Sequence, residues 1–118
     1  MSHKVEPHEL ADIVASYHSA PFLLYGAATG ESVRVNHVRV ALEQGSPNVR
    51  VTGFGRGVVA RVEAGIRLSL LWPPPKDEQF SVIADGFGEF IDEDTLLISI
   101  ESAVLHRPAP PLGEPRAC

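Results

Sequence analysis

The chain has 118 residues, which is the size of one small domain. Hydrophobic residues make up 44% and charged residues 21%, a composition that excludes an intrinsically disordered chain. The formal net charge of -5 argues against nucleic acid as a partner. The absence of a run of about 18 apolar residues argues against a membrane span. Because the first ten residues lack an apolar signal region, we expect a cytoplasmic protein.

The charges are distributed unevenly along the chain. Residues 34–67 carry six arginines against two glutamates, a net charge of +4, whereas residues 68–101 carry one lysine against eight acidic residues, a net charge of -7. Arginine binds phosphate through a planar, bidentate fork and stays charged when it is partly buried. Two interpretations are open: the arginines pair with acidic residues across a sheet, or at least two of them share a site for an anion.

The first half of the chain predicts one helix and two strands. Residues 7–17 have the apolar spacing of a helix, and residues 21–28 have the composition of a buried strand. Residues 32–43 predict a longer strand whose apolar positions change from odd to even numbers. Since an inward face cannot change parity in a regular strand, we infer a β-bulge or a strong bend near Asn36-His37.

The second half continues the alternation of short strands and turns. The predicted elements are a strand at 49–52, a short helix at about 56–64, a strand at 66–73, and a hairpin of strands at 80–91 and 95–101. About six strands and two short helices predict a mainly β fold, a small barrel whose openings are closed by helices. We expect one domain over residues 1–101 and an irregular, proline-rich tail over residues 102–118.

The glycine-rich segment 53–57 lies between a strand and the second helix. It lacks the spacing of a dinucleotide fingerprint and the Gly-Lys-Ser/Thr of a P-loop. Glycines before a helix leave backbone N–H groups available to an anion, and the helix dipole favours negative charge there. A plain tight turn is the alternative interpretation.

Residue patterns that carry catalysis by themselves are not found in the sequence. There is no Gly-x-Ser-x-Gly, no His-Glu-x-x-His and no cluster of cysteine and histidine, and the single cysteine is the last residue. We therefore identify no catalytic residue and expect no metal site. If the protein performs chemistry, we expect a bound cofactor to carry it.

The segment RVNHVRVALEQGSPNVRVTGFGRGVVARVEAGIRLSLLWP contains several landmarks in one register. They are Arg34-x-x-x-x-Arg39, Val51-Thr52 at a strand end, Gly55-Arg56 before a helix, Ser-Leu-Leu-Trp-Pro at 69–73 and a glycine at 86. In this order of landmarks the chain resembles the pyridoxamine 5′-phosphate oxidase-like family over about residues 20–91.

The resemblance implies a six-stranded split β-barrel that binds FMN at a homodimer interface. It implies a cofactor site formed by Arg34, Val35, Asn36, His37, Arg39, Val51, Thr52, Gly55, Arg56, Gln79 and Ser81. In that site Arg34 and Arg56 would hold the phosphate, helped by Thr52 and by backbone N–H groups near Gly55. Asn36 and His37 would present backbone or side chain to the flavin ring. Gln79 and Ser81 are the two candidates for a glutamine that the family has after its proline turn.

The sequence departs from the family where the second helix begins, which keeps other functions open. The chain has Arg56-Gly57-Val58 where the family has Ser-Arg-Lys. A deazaflavin is therefore an alternative cofactor. A hypothesis from another class is a cofactor-free dimeric barrel with a binding or structural role, in which the arginines pair with Asp85 or Glu89. Because the family's substrate-binding C-terminal region has no counterpart, we expect an oxidoreductase of unknown substrate and not a pyridoxamine phosphate oxidase.

Overall fold

The computed structural model describes residues 2–17, 19–26, 33–75 and 80–107. It is mainly β: one curled antiparallel sheet forms a half-barrel, accompanied by two short helices. This confirms the prediction of a mainly β fold with two short helices. In the described ranges, no helix has both the length and the apolar character needed to cross a membrane.

Eight strands and two helices occur in the described residues. The strands are β1 (Ser2–Val5), β2 (Phe22–Tyr25), β3 (Arg34–His37), β4 (Arg39–Leu42), β5 (Asn48–Thr52), β6 (Leu68–Trp72), β7 (Ser81–Asp92) and β8 (Thr95–His106). The helices are α1 (Leu10–Val14), which follows a 3-10 turn at Pro7–Glu9, and α2 (Val58–Glu63). The strand order is β3-β2-β6-β7-β8-β5-β4, and β1 pairs with the end of β8.

The predicted strand at 32–43 is two strands separated by Val38. This residue is buried, and its N–H donates a hydrogen bond to the carbonyl of Pro21 at 3.2 Å. The parity change therefore predicted a real bend, which lies one residue beyond Asn36-His37. Because β3 and β4 stand at opposite ends of the strand order, the bend at Val38 brings the two edges of the sheet together and curls it.

The sheet also includes residues that the sequence did not predict as strands. β8 continues through His106, so residues 102–106 pair with β7 and do not form an irregular tail. On its other side, the same end of β8 pairs with β1, from Ser2 opposite His106 to Val5 opposite Ala103. Residues 108–118 lie outside the described ranges.

The core lies inside the curl of the sheet. Alternate residues of the central strands point inward, which agrees with the predicted strand periodicity. The buried side chains include Val49, Val51, Leu68, Leu70, Trp72, Leu96 and Ile98, with Leu10 and Val14 from α1 and Val58 from α2. Each of these apolar side chains contributes about 1.5–3 kcal/mol by leaving water. The two helices therefore cover the core with one apolar face each.

Gly86 lies at a break in the pairing of β7 with β8. The register shifts between Asp85 and Gly86, which marks a β-bulge or irregularity there. A Cβ atom at position 86 would lie 2.0 Å from the carbonyl oxygen of Ser99 on β8. Glycine is required here because the backbone of the neighbouring strand occupies the space of a side chain.

Candidate functional site

A surface cleft of about 290 Å³ brings together three of the predicted cofactor residues, Arg39, Thr52 and Arg56. Arg39 begins β4 and stands directly opposite Thr52, the last residue of β5, so the two side chains share one face of the sheet. Arg56 lies in the turn that leads to α2. The other described residues lining the cleft are Gly53, Phe54 and Asp94.

The cleft carries a net positive charge from exposed side chains. Two arginines face one carboxylate, that of Asp94, so the formal charge of its lining is +1. The Arg56 guanidinium donates a 3.4 Å hydrogen bond to the carbonyl of Glu93, which links the glycine-rich segment to the β7–β8 turn. In that turn the Asp92 carboxylate accepts a 2.8 Å hydrogen bond from the Asp94 N–H. The turn therefore fixes one wall of the cleft.

Gly53 directs the chain from β5 past the Arg39 side chain. Its φ of +81° lies in the left-handed region, which glycine adopts without strain. A Cβ atom at Gly53 would lie 3.8 Å from the guanidinium nitrogen Nη2 of Arg39. Any other residue at position 53 would therefore have a strained backbone, although its Cβ would make an ordinary contact with the arginine.

Two side chains hold the rest of the glycine-rich segment against the sheet. The amide oxygen of Asn36 accepts hydrogen bonds from the Gly55 N–H at 2.9 Å and from the Tyr25 hydroxyl at 3.0 Å. A Cβ at Gly55 would lie 3.3 Å from the Asn36 amide, and one at Gly57 would lie 3.2 Å from the Tyr25 oxygen. A side chain at either position would therefore need Asn36 or Tyr25 to shift by a few tenths of an ångström.

These hydrogen bonds use some of the backbone N–H groups that were expected to help hold an anion. The Gly55 N–H donates to Asn36, and the N–H groups of Val58 and Val59 donate to the carbonyls of Gly55 and Arg56. The segment is a tight turn held by Asn36. The side chain of Asn36 faces this turn instead of a ligand.

Tyr25 and Arg61 belong to this region, although the sequence analysis did not identify either. The Arg61 guanidinium lies 5.8 Å from the centre of the Tyr25 ring and donates to the carbonyl of Gly57 at 3.1 Å. A signal for Tyr25 was present in the sequence, because a tyrosine in a buried strand needs a partner for its hydroxyl. The sequence did not indicate that the partner of the Tyr25 hydroxyl is the Asn36 side chain.

The remaining β3 residues lie away from the cleft. Arg34 stands opposite Tyr25 at the other end of β3 and does not line the cleft with Arg39 and Arg56. The predicted joint contact of Arg34 and Arg56 with one phosphate is therefore not seen within this single chain. His37 stacks on Phe22 with ring centres 4.8 Å apart. Val51 is fully buried in the core, so its side chain is not available to a ligand.

The outer apolar face is a second feature of the sheet, formed on β3, β2, β6 and β7. Cross-strand pairing places five of its members side by side: Phe22, Leu24, Val35, Leu71 and Ile83. Val33, just before β3, lies in the same area. Val33 and Val35 are 62% and 54% exposed. Within this face the Ser69 hydroxyl donates a hydrogen bond to the Asp85 carboxylate. Ser81 is two residues before Ile83 and therefore lies on the same side of β7, where it pairs with His106. Gln79 lies outside the described residues.

The arginines of the predicted site do not pair with the acidic segment. Among the described residues, no carboxylate lies within 4.0 Å of the guanidinium groups of Arg34, Arg39 or Arg56. Ion pairs are formed elsewhere, by Arg50 with Glu43 at 3.6 Å and by Arg67 with Glu101 at 3.3 Å. The predicted pairing of the site arginines with Asp85 or Glu89 is therefore not seen, and Asp85 is used by Ser69.

Comparisons of this chain with protein-family models, with curated proteins and with solved structures found no match. The resemblance to a flavin-binding family consequently depends on the sequence landmarks, and the case for a function depends on the geometry of the cleft and of the outer apolar face.

Proposed function

We propose that the protein binds FMN with the flavin phosphate in the cleft of Arg39, Thr52 and Arg56, and that it acts as an oxidoreductase. The observation that carries this proposal is the convergence of two guanidinium groups and one hydroxyl in a single cleft, where neither guanidinium forms an ion pair with a carboxylate of the described residues. This donor set fits a phosphate dianion, because each guanidinium offers a planar fork of N–H groups and the hydroxyl offers one further donor.

The chain would supply binding and orientation, while the flavin would supply hydride or electron transfer. A deazaflavin, which also carries phosphate, is the alternative cofactor for the same cleft. The β4–β5 pair and the β7–β8 turn hold the phosphate-binding groups from opposite sides, so the cleft is formed before a ligand binds. A preformed site loses less conformational entropy when the ligand binds.

The proposal is tested by titrating FMN into the protein and following quenching of flavin fluorescence. Arg39→Ala and Arg56→Ala should each weaken FMN binding by about tenfold or more, since a hydrogen bond to a charged group contributes about 1.5–3 kcal/mol. Asp94→Asn should strengthen binding, because it removes a negative charge from the cleft. The affinity should fall as salt is raised.

Arg50→Ala is the matched control for these variants. Arg50 is an exposed arginine of β5, two residues before Thr52, but it pairs with Glu43 outside the cleft. Its replacement should leave FMN binding unchanged. Equal effects of the Arg50, Arg39 and Arg56 variants would contradict the proposed position of the phosphate. If the native protein bound neither FMN nor a deazaflavin, the cofactor-free barrel would be the remaining hypothesis.

We further propose that the half-barrel pairs with a second copy through the outer apolar face, as in a split-barrel homodimer. Half-exposed valines beside Leu24, Leu71 and Ile83 form a mainly apolar area on a single side of the sheet, with Ser69, Asp85 and Arg67 as its polar members. Contiguous apolar area of this kind marks interaction surfaces, and symmetric pairing is the commonest way to cover it.

Val35→Glu is expected to convert the dimer to a monomer, because the charged carboxylate would lose its hydration in the dimer interface. Ile91→Glu is the matched control: Ile91 is 52% exposed, close to the 54% of Val35, but lies in the irregularity beside the β7–β8 turn. Sedimentation equilibrium at micromolar protein should show a dimer for the native chain and the Ile91 variant. A native chain that is monomeric under these conditions would refute this interface.

A further inference from the structure

A groove of about 610 Å³ lies between α1 and β4, on the side of β4 that faces the core. Its walls are mainly apolar, with Ala15 at the end of α1, Val40 and Leu42 on β4, and two aromatic residues, Tyr17 and Trp72. Apolar grooves with aromatic walls bind small apolar ligands or extended peptide segments.

The groove offers no charge to an ionic ligand. Arg39 is the only charged residue of its described lining, and Arg39 stands opposite Thr52 on β5. Because neighbouring residues of a strand point to opposite faces, the Arg39 side chain lies on the other face of β4 from that of Val40. An uncharged, apolar occupant is therefore the one that fits the groove.

The last described residue of the chain, Arg107, lies beside a wall of this groove. Its guanidinium is 5.2 Å from the centre of the Phe80 ring. The carbonyl of Phe80 accepts a hydrogen bond from the hydroxyl of Tyr17, which lines the groove. A single residue, Phe80, therefore connects the groove wall to the point where residues 108–118 begin.

The segment at 108–113 reads PAPPLG and carries no charge. Three of its first four residues are proline, a composition that favours a polyproline II helix. This helix has three residues per turn, so Pro108 and Pro111 would share one side, and Ala109 and Leu112 the next. Apolar ridges of this kind bind in grooves with aromatic walls.

We infer that residues 108–112 bind in the groove of their own chain as a polyproline II segment, along Tyr17 and Val40. Five residues of this helix span about 15 Å, which matches the four-residue strand β4 at about 13 Å. Attachment at Arg107 gives the segment an effective concentration of about millimolar, so weak contacts are sufficient. Proline has a fixed φ, which reduces the entropy lost on binding. The inference does not depend on the proposed function.

The experiment places a nitroxide spin label next to this segment and records NMR spectra of the full chain. The label is attached at Gly113→Cys, in a chain whose single cysteine is removed by Cys118→Ser. The amide signals of Ala15 and Leu42 should lose most of their intensity while the label is paramagnetic and regain it when the label is reduced. The signal of Ala64, which follows α2 and does not line the groove, should stay unchanged.

Ala15→Glu tests whether the segment lies in the groove itself. Ala15 is an exposed residue at the C-terminal cap of α1, so the variant should fold, but its carboxylate would lose hydration under an apolar segment. The Leu42 signal of the labelled chain should therefore recover. Leu112→Asp should have the same effect. Ala64→Glu, at the exposed cap of α2, is the matched control and should leave the loss of the Leu42 signal as it is.

Three results would overturn the inference. Equal Leu42 intensities with the paramagnetic and the reduced label would show that the segment lies elsewhere; shifts of this signal with a separate proline-rich peptide would then assign the groove to another protein. An effect that Ala15→Glu leaves as strong as Ala64→Glu does would show that the segment does not use the groove. A signal loss seen only between chains, in a mixture of isotope-labelled and spin-labelled copies, would assign the groove to the segment of a second copy.

Discussion

Replacing Asn36 with alanine is expected to lower the free energy of unfolding by about 1–3 kcal/mol and to weaken phosphate binding in the cleft. The amide oxygen of Asn36 is the acceptor for both the Gly55 N–H and the Tyr25 hydroxyl, at 2.9 and 3.0 Å. Without it both donors lose their partner in a half-buried position. The turn that carries Arg56 would then be held less firmly, so binding should weaken together with stability.

Urea denaturation of two further variants shows whether the acceptor oxygen is responsible. Asn36→Asp keeps an oxygen in the same place and should retain most of the stability. Asn48→Ala removes an exposed asparagine of β5 and should change the free energy of unfolding by less than about 0.5 kcal/mol. A loss in Asn36→Asp as large as in Asn36→Ala would show that the hydrogen bonds from Gly55 and Tyr25 are not the cause.

Replacing Gly86 with alanine is expected to have the largest effect on stability, a loss of about 3 kcal/mol or more. The added Cβ would lie 2.0 Å from the Ser99 carbonyl oxygen, and this oxygen belongs to the backbone of β8. A backbone atom of a central strand cannot move aside without breaking the pairing on both sides of the strand. Thermal or urea unfolding of the variant, with circular dichroism to follow β structure, measures the loss.

Two other glycines serve as controls for the Gly86 variant. A Cβ at Gly88 would meet the ends of the Leu96 and Leu68 side chains at 2.8 and 3.0 Å, which can shift, so the loss should be smaller. A Cβ at Gly26 would have nothing within 4 Å, and Gly26→Ala should be almost neutral. If the three alanine variants were equally stable, the close approach of Ser99 to Gly86 would not limit this position.

The positions of most elements could be predicted from the sequence because they depend on local periodicity. Alternation at Leu68, Leu70 and Trp72 predicts β6, and the parity change after Val35 predicts the bend at Val38. The strand β1 could not be predicted, since SHKV has no apolar alternation. It becomes a strand because the end of β8 offers it a free edge for hydrogen bonds.

The residue types of the candidate site could be predicted from the sequence, but only some of the residues that form it. Arginine at 39 and 56 and threonine at 52 followed from the sequence landmarks. The structure also has a groove between α1 and β4, which was not foreseen because its walls come from α1, β4 and β6, elements that are distant in the chain. Tyr17 lies on the wall of this groove, and its hydroxyl donates a hydrogen bond to the Phe80 carbonyl. Burial raises the pKa of this hydroxyl above its ordinary value.

The sequence by itself determined the fold class, the bend and the excess of arginine in the middle of the chain, since each depends on neighbouring residues or on composition. Only the tertiary structure decided which arginines meet. Arg34 and Arg39 are five residues apart, yet the bend at Val38 puts Arg39 opposite Thr52 on β5 and Arg34 opposite Tyr25 on β2. Strand periodicity fixes the face on which a side chain lies, whereas its partners depend on strand order and register, which form through contacts between distant segments.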